Sequence, residues 1–253
     1  MAQRPERTHL TGSTLVRLLA GLIDPHKRVR DSRMSFADAL NQWTGWTDSI
    51  ALSKALDRPL AVGAAVGGAQ DHAAVQAEFD RVRLLQAQAI AREVAAAGSG
   101  PLEAGMGFSP FRQCHQARQV AMENAIAPLR DRAREALARC AGEAARLAAV
   151  DAVMAQVLAV QERRLLATIT TMLGRHYTQL CARPAPDEAV PGQPPDADAA
   201  GDLAAERDPA DTRVHLFRHD LQAVLLAELE LRLQPVQGLL SALRQHQHPQ
   251  GCS

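Results

Sequence analysis

The sequence predicts an all-α protein, and composition and periodicity both point that way. Ala, Leu, Arg, Glu and Gln dominate, and all five are strong helix formers. Aromatic residues make up only 3% of the 253 residues, whereas strands favour aromatic and β-branched side chains. Apolar residues recur every three or four positions along most of the chain, as one face of a helix requires. We therefore expect an elongated helical bundle with a long helix, a candidate coiled coil, and an acidic linker before the last helix.

Interruptions of this pattern divide the chain into five predicted parts. Residues 1–10 form a flexible tail, and residues 11–182 form the helical bundle. Residues 183–208 are a disordered, Pro-rich acidic linker, because so polar a segment cannot bury enough apolar area to fold. Residues 209–244 form a C-terminal helix that packs back on the bundle, and residues 245–253 are a second tail.

The first predicted helix has Thr11 as its N-cap and ends at Asp24-Pro25. The stretch from Ser35 to Asp48 follows and contains both tryptophans. One helical stripe begins in this stretch and runs through Phe36, Leu40, Trp43, Thr47 and Ile50, with Trp46 at its border. Gly45 either weakens this helix or divides it into two shorter ones.

The candidate site residues are therefore Phe36, Trp43 and Trp46. They serve either as packing anchors or as a patch on which a partner docks. We expect Trp43 to be an anchor, because large rings supply much of the buried area in an Ala-rich bundle. For Trp46 both interpretations stay open. A ligand platform is the remaining alternative.

Two longer helices follow in the sequence. One spans about residues 71–97, and Gly98 ends it. The next begins at Ser109-Pro110, with Ser as N-cap and Pro in the first turn, and helical character continues to Ala182.

Pro128 should kink the second of these helices. Residues 129–180 would form one helix of about 78 Å unless the chain turns near Val150-Asp151. Apolar heptad positions between Leu137 and Leu158 predict self-association through this helix. The last helix begins after Asp208, and Pro235 interrupts it.

Common catalytic motifs are missing from the sequence. It contains no phosphate-binding glycine loop, no Gly-x-Ser-x-Gly elbow and no His-Glu-x-x-His helix. We therefore predict a protein that is not an enzyme, with no catalytic residues, no cofactor and no assigned metal ligands.

One weak metal alternative comes from the histidines. His215 and His219 are four residues apart and share a helix face, and they could join His115, which follows Cys114, or His176. The more common interpretation of such a pair is a solvated surface.

Charge and cysteine usage limit the partners and the compartment. The chain holds 28 basic and 28 acidic residues, but residues 183–211 hold eight acids and two bases, so the remainder is mildly basic. The basic cluster Lys27–Arg33 is a solvated connector or, alternatively, a contact for nucleic acid or lipid headgroups. The four cysteines are widely spaced, and no signal peptide or membrane-spanning segment is evident. We expect a soluble cytoplasmic protein.

The pattern Arg7–Leu19, the stretch Ser35–Asp48, the segment Phe108–Phe111 and the last helix resemble an uncharacterised bacterial family, a domain of unknown function. The resemblance implies no activity. Members of that family are encoded near proteins that look like proton-channel motor units and peptidoglycan-binding partners. That neighbourhood implies a cytoplasmic accessory of a cell-envelope machine.

Two functions follow as expectations. The first is a non-enzymatic interaction or scaffold protein with an unidentified protein partner, and homo-oligomerisation through the long helix. The second is a helical bundle that binds a small molecule or a metal.

Overall fold

The computed structural model describes residues 13–23, 38, 42–57, 68–99, 107–140, 142–182 and 209–247. The described residues contain six long helices and no strand, so the predicted all-α class is confirmed. The helices are α1 (Thr14–Ile23), α2 (Trp46–Leu56), α3 (Gly68–Ala96), α4 (Ser109–Arg139), α5 (Glu143–Ala182) and α6 (Pro209–Gln247). The predicted tails, the predicted linker and the cluster Lys27–Arg33 lie outside the described residues, except that α6 continues to Gln247.

Four of the helices form a bundle. Helices α4 and α6 contact each other, and both also contact α3 and α5. Within the described residues α3 and α5 do not meet, so they lie on opposite sides of the α4–α6 pair. Helix α1 packs on α5 and α6, whereas in the described part of the chain α2 contacts α5 and no other helix.

Helix α6 supplies the largest share of the core. Its fully buried large side chains recur at helical spacing: Phe217, Leu221, Leu225, Leu229, Leu233 and Leu243. The helix returns across the bundle as predicted, because a stripe of this length needs apolar partners on several helices. It runs through Pro235 without a break, just as α4 runs through Pro128, so the predicted interruption at Pro235 is wrong.

The end of α3 confirms the predicted glycine stop. Gly98 has φ +70°, a left-handed conformation that side chains other than Gly rarely adopt. A Cβ at this position would lie 2.8 Å from Cζ of Phe111, so the missing side chain also makes room for a core ring. Arg218 Nε donates to the carbonyl of Ala97, 3.0 Å away, and thereby satisfies one of the open carbonyls at this helix end.

The predicted long helix is two helices, and the predicted turn near Val150-Asp151 is wrong. Helix α4 ends at Arg139, Cys140 is extended, and Gly142 has φ +68° before α5 begins. Helix α5 is 40 residues and therefore about 60 Å long. It passes through Asp151 unbroken, and Arg130 Nη2 and Arg134 Nε of α4 bind the Asp151 carboxylate at 2.6 and 2.7 Å.

The break also changes the surroundings of the predicted self-association residues. Leu137, Cys140 and Ala144 are buried in the core of their own chain. They therefore already have the apolar partners that the prediction sought in a second chain. Coiled-coil pairing and self-association stay predictions.

Candidate functional sites: an exposed aromatic helix and a buried polar network

Gly45 divides the tryptophan stretch into two. It is extended, with φ −76° and ψ 171°, and its N–H donates to Oδ2 of Asp48 at 3.0 Å. The side chain of Asp48 therefore closes the first turn of a new helix, in the manner of a capping box. Helix α2 starts at Trp46, so of the two outcomes that the sequence left open at Gly45, the structure shows a division.

The new start decides which way Trp46 points. Ala55, buried against α5, lies nine residues later, which is half a turn away around the helix axis. The Trp46 side chain therefore faces away from α5 and is 82% exposed. Ile50, one turn further on, is 41% exposed on the same outer face. We call Trp46 and Ile50 the outer face of α2.

The other two predicted site residues differ from Trp46. Trp43 precedes the break and is half-buried, so part of its side chain packs against the protein and part is exposed to water. Phe36 lies outside the described residues. The structure therefore separates the two tryptophans, and the outer face of α2 is the exposed aromatic candidate.

Two of the histidines proposed as an alternative metal site, His176 and His219, lie beside the same carboxylate, whereas His115 lies apart from them. His176 Nε2 is 2.8 Å from Asp220 Oδ2, and His219 is exposed with Nδ1 3.6 Å from Asp220 Oδ1. His115 is fully buried elsewhere in the bundle. Among the described residues, no group of three or more His, Cys, Asp or Glu side chains is arranged to hold a metal ion.

Sequence reasoning missed a polar network at the centre of the bundle. Glu228 of α6 and His115 of α4 are both 0% exposed. Arg232 donates to Glu228 Oε1 through Nε at 3.0 Å and Nη2 at 2.9 Å. Gln119 Nε2 donates to the same carboxylate at 3.1 Å and to the carbonyl of Leu166 in α5 at 3.2 Å. The network therefore joins α4, α5 and α6.

The position of the ring proton on His115 follows from its neighbours. Nε2 lies 3.5 Å from Glu228 Oε2, and Nδ1 lies 3.0 Å from the hydroxyl of Thr170. A carboxylate only accepts, so the Nε2 that faces Glu228 carries a proton, and Nδ1 shares a hydrogen bond with the Thr170 hydroxyl. The Nε2 contact is too long and poorly aligned for a good hydrogen bond and acts as a close electrostatic contact.

Glu228 is ionised despite its burial. Removal from water would raise the pKa of its carboxyl group, but the neighbouring His115 ring and the Arg232 guanidinium outweigh burial and hold the pKa below its ordinary value. The negative charge is thus stabilised where an unpaired charge would be costly. Chemically, the arrangement can hold three helices in register.

A weak sequence signal for this network exists. Glu228 and Arg232 are four apart on α6, as His115 and Gln119 are on α4, so each pair shares a helix face. Glu228 also occupies a position on the apolar stripe of α6, seven residues after Leu221. A charged residue inside an apolar stripe indicates a buried pair.

These features define the class of protein. It is an all-α bundle whose core helices are joined by a buried polar network and which carries an exposed aromatic helix on one side. No helix in the described part of the chain is long and apolar enough to cross a membrane.

The chain belongs to the family described as "Protein of unknown function (DUF3348)", whose model matches residues 1–245. The predicted membership of a domain-of-unknown-function family is thereby confirmed. No curated protein and no solved structure matches the chain.

Proposed function

We propose that the protein is a non-enzymatic interaction protein that docks a partner protein on the outer face of α2. The observation that carries the proposal is the 82% exposure of Trp46. Tryptophan is enriched at the centres of protein interfaces, where one ring can supply much of the binding free energy. Ile50 extends the apolar surface by one helical turn, so the partner is a protein with an apolar pocket for an indole and a branched side chain.

The way α2 is held supports this role. Among the described residues α2 contacts α5 and no other helix, and its one buried side chain there is Ala55, so its outer residues do little for the core. A tryptophan whose ring is exposed gains little for folding, and together with Ile50 it forms apolar surface that a partner can cover. In this proposal the protein acts in the cytoplasm as an accessory of a cell-envelope machine, as the gene neighbourhood suggested by the family resemblance implies.

The test compares capture by matched variants. Full-length protein, Trp46→Ala and Leu84→Ala would each be immobilised and exposed to native bacterial lysate. Leu84 is the control, because it is also exposed (58%) but lies on α3, away from α2. We expect a protein captured by the wild type and by Leu84→Ala but lost with Trp46→Ala, while the melting temperature stays unchanged.

Fluorescence supplies an independent readout. In a Trp43→Phe background Trp46 is the only indole, and its emission should be red-shifted and quenched by iodide in the free protein. Adding the captured partner should shift the emission to the blue and protect it from iodide. Equal capture by Trp46→Ala and wild type would refute the proposal.

A further inference from the structure

The chain itself carries an apolar cleft near the outer face of α2. The cleft has a volume of about 550 Å³ and opens where α2 ends, α5 begins and α6 ends. Its apolar wall consists of Leu56 from α2, Leu147 and Val150 from α5, and Ala242 from α6. Leu56 and Leu147 are 50% and 40% exposed, so this wall is apolar surface in contact with water. It is the kind of pocket that a docked indole requires.

Trp46 and Leu56 mark the two ends of α2. They are ten residues apart, which is about 15 Å along the helix axis and just under three turns. They therefore lie within about a quarter turn of the same side of the helix. A second α2 that runs antiparallel beside the first would place Trp46 of each chain next to Leu56 and the cleft of the other.

The polar groups beside the outer face of α2 already have partners within the helix. Ser49 Oγ donates to the carbonyl of Gly45 at 3.1 Å, and Ser53 Oγ donates to Asp57 Oδ2 at 3.1 Å. A second helix can therefore cover both hydroxyl groups without leaving a buried donor unpaired. The cost of removing this surface from water is correspondingly small.

We propose that the outer face of α2 docks on a second copy of this chain, so that Trp46 of each protomer fills the cleft of the other. This inference rests on the proposed function and names its partner. An antiparallel pair has two-fold symmetry and makes the same contact twice, and such closed interfaces are the commonest among homodimers. A parallel pair would place the two tryptophans side by side and leave both clefts unfilled.

The size of the interface predicts a weak dimer. Each indole would bury roughly 200 Å² and cover about as much of the partner's cleft, so the two contacts remove roughly 800 Å² from water. The surfaces of the two α2 helices between these contacts bring the total near the lower limit of about 1,200 Å² for stable interfaces. We therefore expect a dissociation constant in the micromolar range.

The experiment measures the mass of the full-length protein by sedimentation velocity between about 1 and 200 µM. The variants are Trp46→Ala, Leu147→Gln and the control Leu84→Gln. Leu84 is exposed like Leu147 but lies on α3, away from the cleft. Because both leucines are exposed, these substitutions should leave the fold intact, and circular dichroism would check this.

We expect a concentration-dependent dimer whose dissociation constant rises at least about tenfold in Trp46→Ala and in Leu147→Gln but not in Leu84→Gln. In a Trp43→Phe background, the emission of Trp46 should shift to the blue and become protected from iodide over the same range of concentration. A dimer that Leu147→Gln weakens no more than Leu84→Gln would overturn the proposal.

Mixing the two weakened variants tests the reciprocal contact directly. Trp46→Ala keeps an intact cleft, and Leu147→Gln keeps an intact indole, so a mixed dimer regains one complete contact. Dye-labelled Trp46→Ala should therefore bind Leu147→Gln several-fold more tightly than it binds unlabelled Trp46→Ala. Equal affinities would contradict the insertion of Trp46 into the cleft.

The outcomes separate this inference from the proposed function. A protein that stays monomeric throughout this range, but loses a lysate partner through Trp46→Ala, would overturn the inference and leave the proposed function standing. If Trp46→Ala changes neither self-association nor capture from lysate, both are refuted.

Discussion

Glu228→Ala should be among the most destabilising single substitutions in this protein. The change removes the carboxylate that accepts two hydrogen bonds from Arg232 and one from Gln119, and that faces the ring of His115. Removing one partner of a buried ion pair costs roughly 3–5 kcal/mol, because the other charge is left buried and unpaired. Glu162 lies 4.0 Å from Arg232 and can take part of its charge, so we expect a value near the lower end of that range.

The matched control is Glu230→Ala on the same helix. Glu230 also forms an ion pair, with Arg83 at 2.7 Å, but both side chains are about half exposed. Exposed pairs contribute only about 0–1 kcal/mol, since water screens them and the side chains lose entropy. The contrast between the two variants therefore isolates burial from pairing.

The assay is urea denaturation followed by far-ultraviolet circular dichroism. Domains are typically stable by about 5–15 kcal/mol, so the loss in Glu228→Ala should shift the midpoint strongly toward low urea. A Glu228→Gln variant, which keeps the shape but not the charge, should fall between Glu228→Ala and the wild type. If Glu228→Ala costs no more than Glu230→Ala, the network does not hold the helices together as described.

The remaining predictions use other regions of the chain. Acid should destabilise the protein through Asp151. Burial would raise the pKa of the Asp151 carboxyl group, but hydrogen bonds from Arg130 and Arg134 hold that pKa below its ordinary value. The stability that the carboxylate contributes is therefore present above about pH 3.9 and is lost as the pH falls through the lower pKa of the folded state. Thermal melts between pH 2 and 7 should show a shallower decline for Asp151→Asn, and an equal decline would contradict this. Gly98→Ala should lower the free energy of unfolding by about 2–3 kcal/mol and Gly107→Ala by only about 1 kcal/mol. Both glycines have positive φ, but only a Cβ at position 98 would meet an aromatic ring. Equal melting temperatures of the two variants would contradict this reasoning. Trypsin and Glu-C should cut first within 183–208, and earlier cutting inside α5 would refute the linker prediction.

Much of the fold followed from local patterns in the sequence. The apolar stripe of α6 and the glycine at the end of α3 predicted an element and a boundary that the structure contains. The break between α4 and α5 was misplaced, because the sequence shows a glycine at position 142 but not that its φ is positive. Asp151 suggested a turn, whereas two arginines on α4 stabilise it within a helix.

The candidate sites were less predictable because they depend on contacts between helices. Trp46 was predicted at the border of the stripe, with the effect of Gly45 left open; in the structure Gly45 precedes a new helix start that turns the Trp46 ring toward water. Glu228, His115 and Gln119 are polar residues on apolar faces, which in one helix alone are only imperfections of the pattern. These residues pair only when α4 and α6 lie side by side in the fold. Gln119 and Glu228, for example, are 109 residues apart along the chain.

The central position of α6 has a consequence for biosynthesis. This helix contacts α1, α3, α4 and α5, yet it leaves the ribosome after all of them. At roughly 5–20 residues per second, the stretch from the end of α5 to the end of α6 takes about 3–13 s to make. During that interval the apolar surfaces that α6 will cover face the cell interior. The nascent chain should therefore be a client for chaperones that recognise exposed aliphatic surface, and its yield should fall when synthesis pauses in that stretch.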